Sequence, residues 1–181
     1  TNPLYTAREL KHQLTDSGAT AIVVLENFAH VLEKVLDATP VRPVILTRVG
    51  DMLQWPRRGI VNLAVRYLKR SVPRYHLPHA ARWREAMQRD AKQGFSPTAI
   101  SGSDLALLQY TGGTTGVAKG AMLTHRNLVA NLQQVAALWH SAIEPGREIV
   151  ITALPLYHIF SLTCNCLLFV HHGGLNVLIA N

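Results

Sequence analysis

The clearest chemistry in this sequence lies in one run: Tyr110-Thr111-Gly112-Gly113-Thr114-Thr115-Gly116-Val117-Ala118-Lys119-Gly120. Four glycines, three threonines and one lysine fall in its last ten positions, and no acid interrupts them. Glycine lets a backbone turn tightly and present successive N–H groups, which together make a nest for an anion. Threonine hydroxyls add donors and can reach a metal, and the lysine brings a mobile positive charge. The combination fits a loop that holds phosphate or ATP. The competing reading is an ordinary surface turn. Three familiar phosphate motifs fail here. A Walker A loop needs Gly-Lys-Ser/Thr, but Lys119 stands between Ala118 and Gly120. Gly112, Gly113 and Gly116 do not give the GxGxxG spacing of a dinucleotide fold, nor that of a kinase glycine loop.

A second feature is charge. The net charge is +7, yet residues 48–84 alone hold nine Lys or Arg against the single acid Asp51. The basicity is therefore local. Within it, residues 57–74 interleave six positive charges with Ile60, Val61, Leu63, Val65 and Leu68. A basic amphipathic segment of this kind suits contact with an anionic membrane surface. The alternative is a solvated or intersubunit face. No base-reading or stacking pattern supports nucleic acid. His158, Cys164, Cys166, His171 and His172 are soft ligands, but Cys-x-Cys is not the usual zinc spacing. On a helix, positions 164 and 166 diverge by about 200°. No metal site is expected there. His125 reads as a cap-region residue that orients the loop.

The elements that must position these residues alternate between helix-like and strand-like runs. Residues 5–16 read as a helix with Thr6 as cap, and 20–25 as a buried strand. A helix over 28–36, with Asn27 as cap, and a strand over 44–46 follow. The strands are continuous apolar runs, which suits a parallel sheet covered on both faces. Residues 60–68 and 78–92 read as helices, the second with Ala80, Trp83 and Met87 inward. A loop at 94–97 and a turn at 101–104 lead to a strand over 105–110, the Gly/Thr loop at 111–120 and a strand over 121–123. Thr124 then caps a helix to about His140, with Leu128, Leu132, Val135 and Leu138 on its apolar side. A strand over 148–154, a break at 155–159, a helix over 160–170 and a strand over 175–179 complete the pattern. The fold class expected is α/β, three-layered, with a mainly parallel sheet and flanking helices. No linker separating two domains is visible.

Composition narrows the function classes. With 181 residues, 48% hydrophobic and only 16% charged, the chain is not disordered. Low charge suggests a surface partly covered by further sequence, a partner or lipid. Two cysteines exclude a disulfide scaffold and suit reduced thiols in the cytoplasm. No uncharged apolar window reaches the roughly 18 residues of a membrane span, and no leader pattern opens the sequence. Both ends read as cuts through a longer protein.

Residues 110–125, ending Ala121-Met122-Leu123-Thr124-His125, resemble the phosphate loop of the adenylate-forming, AMP-binding superfamily. Leu154-Pro155-Leu156-Tyr157-His158-Ile159-Phe160 resembles that superfamily's second block. The whole chain, including Asn2-Pro3-Leu4-Tyr5 and Tyr75-His76-Leu77-Pro78, is most similar to the bacterial long-chain fatty-acid–CoA ligases. The resemblance implies residues 1–181 as an incomplete N-terminal AMP-binding domain without its C-terminal domain. It implies ATP-dependent, Mg²⁺-assisted activation of a fatty acid to an acyl-adenylate, then thioester formation with coenzyme A. It also implies that Thr111, Gly112, Gly113, Thr114, Thr115, Gly116 and Lys119 hold the ATP phosphates. Thr114 or Thr115 would stand near Mg–ATP. Lys119 would assist, His158 would lie at the edge of the acyl site, and Tyr157 and Phe160 would flank the substrate channel. A cytoplasmic enzyme, peripheral on the cytoplasmic face of the inner membrane and compatible with a homo-oligomer, is implied as well. The superfamily's later motifs are absent from the 181 residues, so the piece alone is expected to be inactive. Two other readings remain: another acyl or aryl acid adenylating enzyme, and a phosphate-binding or membrane-docking module without turnover.

Overall fold

Helix α1 (Ala7–Asp16) begins where its sequence provides a reciprocal cap. Glu9 N–H donates to Thr6 Oγ1 at 3.4 Å, and Thr6 N–H donates to Glu9 Oε2 at 2.8 Å. The computed structural model describes residues 1–90, 94, 96–111 and 118–179. Two compact units result, Thr1–Thr98 and Ala99–Asn181.

In the first unit, Leu10 and Leu14 of α1 bury against Leu32, Val35, Val41 and Val44 to form the core. Strands β1 (Ile22–Leu25), β2 (Val44–Thr47) and β3 (Ala81–Arg82) form a parallel sheet in that order. Ile22 pairs with Val44 and Leu25 with Thr47, while Ile45 pairs with Ala81 and Leu46 with Arg82. A parallel pair needs a crossover. Here it carries a 3₁₀ turn (Glu26–Phe28), helix α2 (Ala29–Glu33) and a second 3₁₀ turn (Leu36–Ala38). Three expectations need correction. Asn27 does not cap α2, which has Phe28 at that position with no side-chain cap; Asn27 Nδ2 instead donates to the Ser71 carbonyl at 2.9 Å. Helix α3 (Arg57–Leu63) starts earlier than position 60 and passes into a wider π-helical turn, Ala64–Leu68. The expected helix over 78–92 begins only at Trp83, as α4 (Trp83–Asp90), and Met87 on it is exposed. Residues 81 and 82 are taken by β2, whose open backbone groups they satisfy.

In the second unit, β4 (Leu105–Thr111) and β5 (Lys119–Thr124) form an antiparallel hairpin. This is the departure from the parallel pattern. Seven residues join the two strands, too few for a parallel crossover. Helix α5 (His125–Trp139) is capped as expected: Asn127 N–H donates to Thr124 Oγ1 at 3.3 Å, and Thr124 N–H to Asn127 Oδ1 at 2.9 Å. Leu128, Leu132 and Val135 are half-buried, but Leu138 is 80% exposed, so the apolar stripe is shorter than its spacing suggests. Strands β6 (Ile149–Thr152) and β7 (Leu175–Leu178) pair in parallel across a π-helical turn (Ser161–Leu167) and helix α6 (Leu168–His171). Helix α5 packs against β5 and against this π/α6 segment. The architecture is thus mixed parallel and antiparallel sheets flanked by helices.

Candidate phosphate-loop site

The hairpin brings together the two ends of the Gly/Thr run. Thr111 closes β4, Lys119 opens β5, and the two are cross-strand partners, with Tyr110 opposite Gly120. Both Thr111 and Lys119 are exposed, so a hydroxyl and an ammonium stand side by side at the base of the loop. Gly112, Gly113, Thr114, Thr115 and Gly116 lie outside the described residues. Gly120 has a different use from a turn glycine. A Cβ there would meet the Tyr110 ring at 3.0 Å, so a larger residue would need the ring to shift by a few tenths of an ångström. No acid occurs from Leu105 to Thr124. The donor chemistry at the loop's base therefore fits a polyanion. His125 follows the Thr124 cap, and its N–H donates to the Asp104 carbonyl at 3.1 Å, tying α5 to the turn before β4.

The second block occupies the break between β6 and the π/α6 segment. His158 N–H donates to the Pro155 carbonyl at 2.9 Å, making a tight turn. Ser161 is fully buried and its Oγ donates to the Leu154 carbonyl at 2.8 Å, which fixes where the helix starts. Phe160 N–H donates to His158 Nδ1 at 3.3 Å, so Nδ1 accepts and Nε2 carries the proton of the neutral ring. Tyr157, His158 and Phe160 are all exposed on this turn. Cys164 and Cys166, both half-buried, sit in the π-helical turn as free thiols. Among the described residues, no group of three His, Cys, Asp or Glu is placed to hold a metal. Among the same residues, no helix is long and apolar enough to cross a membrane.

One cluster escaped sequence reasoning. Glu26 directly follows β1, Arg48 directly follows β2, and Arg82 ends β3. In-register parallel pairing sets these three at the same edge of the sheet. Arg48 Nε donates to Glu26 Oε2 at 2.7 Å, Arg82 Nη1 lies 3.8 Å from the same oxygen, and Arg66 of the π-helical turn pairs with Glu26 Oε1. The Glu26 side chain is only 3% exposed, against about 40% for its partners. Part of the basic window is therefore tied inward. The available signal was a lone acid at the end of an apolar strand in a chain whose basic stretch has only Asp51 as an acid of its own.

The sequence matches the AMP-binding enzyme family over residues 1–181, and the chain belongs to that family. It is 59% identical to the long-chain-fatty-acid–CoA ligase of Salmonella typhimurium over 180 residues, which is 99% of this chain and 32% of that protein. It is 53% identical to the ligase of the same name from Haemophilus influenzae, again over 99% of this chain and 32% of the relative. The crystal structure of a long-chain-fatty-acid-CoA ligase from Archaeoglobus fulgidus covers the whole chain at 28% identity and a TM-score of 0.66, with 30% of that structure matched. The chain thus spans about a third of the length of the relatives it matches.

Proposed function

We propose that this chain is part of the N-terminal AMP-binding domain of an AMP-forming acid–thiol ligase that activates long-chain fatty acids. The observation that carries the reading is 59% identity, over nearly the whole chain, to a protein named for that activity. In the proposed reaction a fatty carboxylate attacks the α-phosphorus of ATP and pyrophosphate leaves. The coenzyme A thiol then displaces AMP from the acyl-adenylate. The protein's task in the first step is to hold and neutralise a triphosphate and to position the carboxylate. Thr111, Thr114 and Thr115 would supply hydroxyl and amide donors to the phosphates, Gly112, Gly113 and Gly116 would add backbone N–H groups unobstructed by side chains, and Lys119 would add charge. Thr114 or Thr115 would stand near Mg²⁺, which would share the phosphate charge when bound with ATP. Tyr157, His158 and Phe160 border the acyl chain's path. The enzyme works in the cytoplasm.

The test is carboxylate-dependent ATP–pyrophosphate exchange on the full-length gene product with palmitate, octanoate, acetate and benzoate, beside the 181-residue piece. Exchange with palmitate and none from the piece is expected. Exchange with benzoate or acetate alone would replace the fatty-acid reading, and exchange by the piece would overturn its assignment as incomplete.

One further reading has its own support. Ile60, Leu63, Tyr67 and Leu68 are exposed beside Arg57, Arg58, Lys69 and Arg70, a surface suited to an anionic bilayer. Co-sedimentation with anionic but not neutral liposomes is expected; equal, weak pelleting with both would count against it.

A further inference from the structure

A cavity of about 490 Å³ opens at the edge of the first unit's sheet where β1, β2 and β3 end. Its wall includes Glu26 and five arginines, Arg48, Arg58, Arg66, Arg82 and Arg84. The other acids on the wall are Asp51 and Glu85. Glu26 is engaged by three of the arginines, as described above. Asp51 is engaged too: its Oδ2 accepts from Arg48 N–H at 2.9 Å and its Oδ1 from Asn62 Nδ2 at 3.3 Å. Five guanidinium groups thus face three carboxylates, and two of those carboxylates are already satisfied. Among the described residues, Arg58 and Arg84 have no carboxylate within ion-pair distance. Arg82 Nη1 is buried without a hydrogen-bond partner, its contact with Glu26 being too long for one. A buried guanidinium N–H left unpaired is costly, and an added acceptor would relieve that cost.

The wall is also held in place. Gly50 N–H donates to Asn62 Oδ1 at 2.8 Å, and a Cβ at Gly50 would meet both that oxygen and the Arg58 carbonyl at 2.9 Å. The loop after β2 is therefore pressed directly onto α3. Arg66 is presented by a π-helical turn, a local change of winding that recurs where a side chain must be re-aimed for function. The carboxyl edge of parallel strands is where open α/β sheets hold ligands. Leu63, Val65 and Tyr67 give part of the wall an apolar character, and the volume exceeds what a bare ion needs.

We propose that this cavity binds a phosphate monoester carried on an organic group, as an anion site whose residues all lie in the first unit and which shares none with the 111–120 loop. Arg82, Arg58 and Arg84 are the groups with donors to spare, and Glu26 stays in place as the anchor that orients Arg48 and Arg66. The proposal does not rest on the ligase reading. Two sources share this ligand chemistry, a soluble phosphate ester and a phosphomonoester lipid headgroup.

The test is isothermal titration of the full-length protein with glycerol 3-phosphate, and co-sedimentation with phosphatidic acid vesicles against phosphatidylcholine vesicles. Arg58→Gln/Arg84→Gln is the main variant, because neither side chain is ion-paired in the fold; Arg82→Gln is the second, and circular dichroism checks both for folding. Lys119→Gln serves as the loop control. Saturable binding that weakens about tenfold in the double variant and survives in Lys119→Gln is the expected result. Binding of the soluble ester alone assigns the first source. Arginine-dependent pelleting with phosphatidic acid assigns the second. No saturable binding, binding unchanged in both arginine variants, or binding lost only in Lys119→Gln would overturn the proposal.

Discussion

The two units use their apolar residues differently. The first gathers Leu10, Leu14, Leu32, Val35, Val41 and Val44 into one buried cluster beneath a parallel sheet. In the second, the buried apolar side chains among the described residues are Ile143 and Leu168. Its strands β6 and β7 carry the same kind of apolar run as β1 and β2, yet Ile149, Ile151, Leu175 and Leu178 are exposed. Continuous apolar strands suit a sheet covered on both faces. The same sequence pattern is thus fulfilled in one unit and left open in the other. The difference also bears on function. The first unit ties its charged sheet edge together through Glu26, while the second leaves Thr111, Lys119, Tyr157, His158 and Phe160 exposed.

The largest expected effect tests that contrast directly. Leu32 is 0% exposed in the middle of the first unit's core. Leu32→Ala removes its packing and leaves a cavity, which should cost about 3 kcal/mol in urea unfolding. Leu138→Ala, on the exposed end of α5, should change stability by less than about 0.5 kcal/mol. If the two cost the same, the packing contrast is wrong, because Leu138 would have to be buried in solution.

Glu26→Gln should come next, at about 2 kcal/mol. Breaking a buried ion pair by removing one partner leaves uncompensated charge. Here the cost is moderated, because the arginines are some 40% exposed and can regain water while Glu26 cannot. The variant should also loosen the π-helical turn, read as faster amide exchange at Arg66 and its neighbours. A loss no larger than that of Leu138→Ala would mean that the cluster is held by its backbone and not by charge.

These two sites also mark how far the sequence could be read. The helical segments 5–16 and 28–36, which carry Leu10, Leu14, Leu32 and Val35, were visible from spacing, and Thr6 and Thr124 from cap chemistry, because such signals are local. The parallel β1–β2 pair followed from apolar runs joined by a crossover of sufficient length. The antiparallel β4–β5 pair was equally available from the shortness of its connection, but a count of apolar runs does not report strand direction. Glu26 was not legible. Its partners are 22, 40 and 56 positions away, and only the sheet register places them side by side. Asn27 misled for a related reason. A residue suited to capping met a longer-range partner, the Ser71 carbonyl, that local spacing does not reveal. At the site, the ends of the loop were readable as strands, whereas the close approach of the Tyr110 ring to Gly120 depends on the cross-strand register.

The smallest effect separates the units by pH. Each has one long helix that opens on a threonine cap with a reciprocal partner three residues on, but α1 uses Glu9 and α5 uses Asn127. Hydrogen bonds from the Thr6 side chain and then from its backbone hold the Glu9 carboxyl below its ordinary value. A carboxylate lowered in the folded state adds stability above its unfolded pKa, and that stability is lost as pH falls through the folded value. Asn127 does not titrate, so the α5 cap has no such loss. In an NMR titration from neutral to acid pH, the Thr6 amide should shift as Glu9 takes up its proton, whereas the Thr124 amide should stay still. Thr6→Ala should reduce the downward displacement of the Glu9 titration midpoint, leaving the smaller part owed to the backbone N–H of residue 6. A Glu9 midpoint unchanged by that substitution would show that the bond does not persist in solution, and that α1 starts on its backbone cap alone.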